Sequence, residues 1–221
     1  SDPVFAADAA ADRAARTITV VDNASSDGTP DRLREQFPGV GLLALPENLG
    51  VDAFNRAAAA SRADVLLILD DDAAPAPHAL EVALDRLARD PALGAVALHP
   101  VHPIGNRSEW PFGASLTGCS TDRWSVMGCA NLIRRDAWIA AGGYEPSFFL
   151  YRNDADLALK LLALGRGVHF DPGLIAQHDS PAGPGAPKSF RWHELATRNW
   201  IWMVRRHGRG LWFVAGVAAE L

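Results

Sequence analysis

Residues 65–69 read Val-Leu-Leu-Ile-Leu, and three aspartates, Asp70, Asp71 and Asp72, follow at once. A continuous apolar run of this length is the mark of a strand covered on both faces. The three carboxylates at its end repel one another and are partly desolvated, an unfavourable arrangement unless a cation neutralises it. Two readings stand here. One is a site where Mg2+ or Mn2+ takes oxygen ligands together with a phosphate. The other is a solvated turn or helix start, where aspartate is favoured without any ligand.

The flanking sequence places this strand in a layered α/β domain. Residues 17–21 form a β-branched run ending in Asp22-Asn23, and residues 40–45 and 94–98 read as further strands. Helical segments lie between them. Residues 30–37 carry Pro30 in the first turn, residues 50–62 are rich in alanine, and residues 77–89 space Leu80, Leu84 and Leu87 at helical intervals. This alternation predicts a mostly parallel central sheet with helices on both faces. The second half is less regular. Residues 99–125 read as loops with short strands, and residues 126–134 as a strand leading into a short helix. Helices are predicted over 154–164 and 189–206, with two short strands, 168–170 and 174–176, between them. In open α/β sheets ligands bind beyond the carboxyl ends of strands, which is where Asp22 and Asp70–Asp72 fall.

Composition excludes several classes. With 221 residues, 48% hydrophobic and 21% charged, the chain suits one soluble globular domain. A net charge of −5 gives no basis for a nucleic-acid partner. Cys119 and Cys129 have neither zinc nor redox spacing and read as free thiols, although spacing leaves a disulfide between them open. Neither a secretory leader nor an apolar run of about 18 residues is present, and no Walker loop, GxSxG or HExxH occurs.

Three segments together resemble one family. Asp22-Asn23-Ala24-Ser25-Ser26-Asp27-Gly28-Thr29 ends the first strand, Asn48-Leu49-Gly50 opens a helix, and the triple aspartate follows. This order resembles the nucleotide-binding half of the inverting family 2 glycosyltransferases, which have the GT-A fold. The second half adds Gly128-Cys129-Ala130, then Gly142-Gly143-Tyr144 and Phe148-Phe149-Leu150-Tyr151, leading into Asn153-Asp154-Ala155-Asp156-Leu157. A Trp- and Arg-rich helix with an Arg198-Asn199 pair resembles the rhamnosyltransferase-like members.

The resemblance implies a donor site for a UDP- or dTDP-sugar formed by Asp22, Asn23, Asn48, Gly50, Asp70, Asp71, Gly128 and Cys129. It implies a divalent metal, Mg2+ or Mn2+, held by Asp72 with Asp70 and His178. Asp154 takes the place of the general base. Trp192 and Arg198 fall on the side of a glycan or lipid-linked acceptor. For each of these a plain structural reading also stands: turn chemistry for Asn23, Ser25 and Asp27, helix capping for Asp154 and Asp156, and loop placement for His178. His99 and His102, among prolines, read as structural.

Two departures stand out. Asn153 and Lys160 replace the family's Glu and Arg, which changes the charge around Asp154. The family's first strand also has no counterpart, because only 16 residues precede Thr17 and residues 5–16 read as a helix. The expected organisation is therefore a GT-A domain over 1–207 without that strand, then an apolar tail over 208–221. The expected activity is inverting sugar transfer in the cytoplasm, or at the inner face of the cell membrane. Six basic residues among 188–209, beside tryptophans, suit either an anionic bilayer or a solvated helix face. The alternative activity is a non-catalytic relative that binds a nucleotide or glycan.

Overall fold

The computed structural model describes residues 17–109, 121–122, 129–180 and 187–208. The predicted helix at 5–16, Gly128, Cys119, most of the loop at 181–187 and nearly all of the tail lie outside these residues.

The first described strands are β1 (Thr19–Asp22) and β2 (Gly41–Ala44), joined through helix α1 (Thr29–Gln36). They pair in parallel, as a strand–helix–strand unit requires. Helix α2 (Asp52–Ala60) leads to β3 (Val65–Leu69), and the aspartate turn leads to β4 (Ala73–Pro75). Then come α3 (Pro77–Arg89), β5 (Leu93–His102), β6 (Arg107–Ser108), β7 (Thr121–Asp122), β8 (Ala130–Arg134), α4 (Arg135–Ala141), α5 (Asn153–Ala163), β9 (Gly167–His178) and α6 (Phe190–His207).

The larger sheet runs β3-β8-β5-β9-β4, with β6 on β5 and β7 on β9. The α/β layering is as expected, but the pairing is mixed rather than mostly parallel. Parallel pairing occurs in β1–β2 and β5–β9. Strand β8 runs antiparallel to both β3 and β5, because the chain returns to the middle of the sheet after a long excursion from β5. Strands β4, β6 and β7 also pair antiparallel with their neighbours. Among the described residues no strand joins β1 to β3.

Each face of the larger sheet buries its own core. On one side α2, α4 and α5 bring Ala58, Trp138, Leu157 and Leu161 against Leu66, Ile68, Ile133 and Phe170. On the other, α3 brings Ala79, Ala83 and Leu87 against Val96, Leu98, Leu132 and Ala176. On this face of β3 Val65 packs against the α3 core, but Leu67 and Leu69 are each 36% exposed. The expectation that β3 is covered on both faces is therefore corrected for one face among the described residues.

Two other strands differ from the sequence reading. Strand β5 continues through Pro100 to His102, where proline argues against a central strand. The two predicted strands at 168–170 and 174–176 are one strand, β9. A register shift between β5 and β9 absorbs Asp171-Pro172-Gly173, which reads as a break in sequence. His99 holds this bulge, with Nδ1 on the Pro172 carbonyl at 3.0 Å and Nε2 on Ser108 Oγ at 2.8 Å.

Helices α5 and α6 are tied by a buried charge. Asp156 is 0% exposed and meets Lys160 Nζ at 2.8 Å, Arg206 Nη1 at 3.2 Å and His207 Nε2 at 2.8 Å. Burial acts to raise its pKa, but the hydrogen bonds from His207 and Lys160 and the Lys160 and Arg206 charges prevail and lower it. Asp156→Ala removes the buried carboxylate that these three groups share, although Arg206 keeps Glu145 at 2.7 Å. We expect it to cost about 3–5 kcal/mol of unfolding free energy, read by urea denaturation. In the unaltered chain the ion-pair contribution is present above the ordinary carboxylate value of 3.8. It is lost as pH falls through the lowered folded value, which an acid-unfolding curve reports.

Candidate functional site

Four strand ends meet at the aspartate turn. Antiparallel pairing of Leu69 with Ala130 sets the start of β8 beside the end of β3, and Asp70 donates its N–H to the Cys129 carbonyl at 3.1 Å. Pairing of Ala73 with His178 sets the end of β9 beside the start of β4, and Asp179 donates its N–H to the Asp72 carbonyl at 2.9 Å. The main chain thus fixes Asp70, Asp72 and His178 relative to one another before any side-chain contact forms.

The side chains converge accordingly. One ligand atom from each of Asp70, Asp72 and His178 lies within 4.8 Å of the others, and His178 Nε2 is 3.2 Å from Asp72 Oδ1. Two carboxylate oxygens and an imidazole nitrogen suit Mg2+ or Mn2+, so these residues fit the ion that the sequence implies. Burial, then the neighbouring Asp72 charge, pushes Asp70 up to about 6, against the opposing pull of His178. Asp71 is exposed beside them. Glu109 was not found from sequence, because it lies in an irregular segment without periodicity. Its carboxylate accepts from His178 Nδ1 and, at 3.1 Å, from Ser180 Oγ.

Asp154 lies in the first turn of α5, where the helix dipole favours a carboxylate. Its charge acts on Asp70, on the buried Cys129 thiol and on the buried Tyr144 hydroxyl. Burial, followed by the Asp70 charge, pushes the Cys129 thiol well up, so it is not a nucleophile. Asp156, two positions on, lies in the α5–α6 contact; it acts as a buried ion-pair partner and not as the helix cap expected of it, since the N-cap is Arg152.

The turn that carries Asp154 is held against positive φ at three non-glycine positions, Phe149, Tyr151 and Arg152. Such conformations persist only where the surroundings over-determine them. Asn199, 0% exposed, does this from α6 by donating Nδ2 to the carbonyls of Phe148, Leu150 and Tyr151 at 3.0, 2.7 and 2.9 Å. Arg198 supports it, donating to the Phe148 carbonyl at 2.9 Å and to Asn199 Oδ1 at 3.0 Å. Arg198 also lies over the Trp202 ring, and Trp192 packs against Tyr151 with ring centroids 5.9 Å apart. Both residues expected on the acceptor side therefore meet the turn that leads to Asp154.

The 48–50 turn packs on the turn that leads to Asp154, with the Val51 N–H on the Phe149 carbonyl at 2.8 Å. Asn23 donates Nδ2 to the Gly50 carbonyl at 3.0 Å and accepts the Leu49 N–H at 2.7 Å. Asn48 accepts the Gly50 N–H at 2.9 Å. Gly50 has φ +57°, and a Cβ there would sit 2.1 Å from the Phe149 carbonyl oxygen, so only glycine fits. Asn23 and Asn48 thus shape this turn. Asn55, missed in the sequence, holds the Gly142-Gly143-Tyr144 turn by meeting both the N–H and the carbonyl of Tyr144 at 2.9 Å. At β1, buried Asp22 accepts the Ser25 N–H through Oδ2 at 3.2 Å. Its Oδ1 has no partner among the described residues. Asp27 bonds Thr29, the turn chemistry expected of it.

With this geometry in view, comparison with known proteins places the chain. A mannosyltransferase from Pyrobaculum calidifontis, solved with GDP-Man and Mn2+, superposes with a TM-score of 0.62 at 21% identity. The match covers 92% of this chain and 59% of that one, so the chain spans less than two thirds of that relative. S. aureus TarS (residues 1–349) superposes at 0.65 with 12% identity, over 94% of this chain and 63% of that one. The fold is GT-A. Residues 8–158 match glycosyl transferase family 2, and the chain belongs to that family of glycosyltransferases. It is 25% identical over 237 residues to the N-acetylglucosaminyl-diphospho-decaprenol L-rhamnosyltransferase of Mycobacterium tuberculosis. That match covers 89% of this chain and 76% of the relative. Rhamnosyltransferase WbbL of Escherichia coli (strain K12) is 30% identical over 74 residues, 32% of this chain and 27% of that protein.

Two outcomes follow. An acid raised from 3.8 to about 6 holds its proton more tightly when folded, so metal-free stability falls as pH rises through that window. Asp70→Asn removes this penalty, and we expect it to raise metal-free stability at neutral pH by on the order of 1–3 kcal/mol, read by thermal unfolding. Asn199→Ala strips the donor from three carbonyls. We expect a loss of about 1–3 kcal/mol in urea denaturation.

Proposed function

We propose that this domain is an inverting glycosyltransferase, taking a deoxyhexosyl group such as L-rhamnose from a nucleoside-diphosphate donor and passing it to a hydroxyl of a lipid-linked glycan. The observation that carries the reading is the convergence of Asp70, Asp72 and His178, with the Asp154 charge acting on the same group. The names of the Mycobacterium and Escherichia coli relatives support the sugar, and the Mycobacterium name supports a polyprenyl-diphosphate-linked acceptor.

In this reading Asp154 takes the proton of the acceptor hydroxyl as its oxygen attacks C1 of the sugar. The new glycosidic bond forms on one face while the bond from C1 to the diphosphate breaks on the other. The nucleoside diphosphate leaves with the electron pair, and the configuration at C1 inverts. Asp70, Asp72 and His178 would hold a divalent cation, which would supply charge stabilisation for that leaving group. The free Oδ1 of Asp22 is an acceptor for donor-side N–H or O–H groups of the nucleotide. The 48–50 turn, Asp71 and the Gly128-Cys129 segment complete the donor side.

For the acceptor side, Trp192 and Arg198 lie on α6, whose Phe190 is 84% exposed and which also exposes Arg191 and Arg205. An apolar and cationic helix suits a lipid diphosphate at the inner face of a membrane. No helix among the described residues is long and apolar enough to cross one.

Calorimetric titration with dTDP and UDP, with and without Mn2+, tests the donor site. We expect binding that requires the metal and disappears in Asp72→Ala. Asp154→Asn is expected to keep nucleotide binding and to lose about 10²–10⁴-fold in turnover with dTDP-rhamnose and a polyprenyl-diphosphate-linked N-acetylglucosamine. Full turnover in Asp154→Asn would sink the assignment of the base.

A further inference from the structure

We propose that Glu109 is a positioning residue that orients His178 for cation binding. The inference rests on the metal reading of Asp70, Asp72 and His178. It assigns a role to a residue outside every motif that the sequence presents.

An imidazole at a strand end can rotate about its ring bond, and either nitrogen can face a cation. The contacts of His178 remove that freedom. Its Nδ1 is engaged by the Glu109 carboxylate, which as an acceptor only must receive the Nδ1–H. That leaves Nε2 as the nitrogen available to a cation, and it is the one 3.2 Å from Asp72 Oδ1. Metal-bound histidines commonly donate their second ring nitrogen to a carboxylate in this way, which fixes the ring and raises its basicity.

Glu109 is itself held in place. Its N–H donates to the Pro100 carbonyl at 3.0 Å, directly after β6 pairs with β5 through Val101–Ser108 and His102–Arg107. Ser108, the preceding residue, is fixed by His99. The second carboxylate oxygen accepts from Ser180 Oγ at 3.1 Å, and the side chain is 11% exposed. A carboxylate this covered is costly without a partner of opposite or donor character. Among the described residues the partners of its carboxylate are His178 and Ser180.

Direct coordination by Glu109 makes a different prediction, because a ligand acts whether or not His178 is present. The test is Mn2+ titration of the full chain, followed by paramagnetic resonance of the free ion, for the unaltered protein, Glu109→Ala, Glu109→Gln, His178→Ala and the Glu109→Ala/His178→Ala double variant. The expected result is about 10–100-fold weaker binding in Glu109→Ala, the range for outer-shell partners of metal ligands. A smaller loss is expected in Glu109→Gln, whose amide oxygen still accepts the Nδ1–H. In the His178→Ala background, removal of Glu109 should cost nothing more. An undiminished loss in that background, or no loss at all, overturns the proposal.

Binding that is lost in Asp72→Ala but indifferent to Glu109→Ala overturns this inference and leaves the metal reading standing. No Mn2+ uptake by the unaltered chain overturns both. Circular dichroism checks that each variant folds. Nitrogen NMR of the His178 ring in the unaltered chain gives an answer independent of any variant. A proton on Nδ1 is expected, and a proton on Nε2 alone overturns the proposal.

Discussion

The pairing of β3 with β8, and of β4 with β9, decides where negative charge accumulates. Because Leu69 faces Ala130 and Ala73 faces His178, the turn between β3 and β4 cannot move its carboxylates apart. Side chains at a solvated loop tip would spread to relieve repulsion. Here the backbone hydrogen bonds of Asp70 to Cys129 and of Asp179 to Asp72 close that route. Burial first, and this repulsion second, keep the Asp70 pKa raised, a penalty that a positive charge would relieve. The sheet below, with Val96, Leu98, Leu132 and Ile133 fully buried, provides the rigidity that makes this possible.

How much of this was legible in the sequence varies with range. Strand β3 and helix α3 fall at the predicted positions, because an apolar run and a leucine period are local signals. The aspartates and His178 were legible as one cluster through the family resemblance, and the structure brings them together. Strand β9 was read as two pieces because Asp171-Pro172-Gly173 is punctuation in sequence, whereas a bulge opposite β5 accommodates it. The mixed pairing was not legible either, since a strand's direction depends on how the chain returns to the sheet. Glu109 and Asn55 carry no local pattern. Their meaning lies entirely in partners 69 and 89 residues away.

The two halves of the site are coupled through the turn before Asp154. Gly50 packs on the Phe149 carbonyl, and Val51 donates its N–H to the same oxygen at 2.8 Å. From the opposite side Asn199 holds the carbonyls of Phe148, Leu150 and Tyr151. The 48–50 turn and α6 thus hold the same short segment, 148–151, from two sides. This contact ties the 48–50 turn to the start of α5, which carries Asp154, the proposed base.

The Asn199 clamp grips only main-chain oxygens, which every amino acid possesses. Nothing in it depends on which side chains stand at 149, 150 and 151, and Leu150 projects to solvent at 41% exposure. Divergence at these positions can reshape whatever passes over the turn while the placement of Asp154, the proposed base, is kept. Selectivity and reactivity are in this sense written in separate alphabets, one of side chains and one of peptide carbonyls. A lineage can revise the first without risking the second.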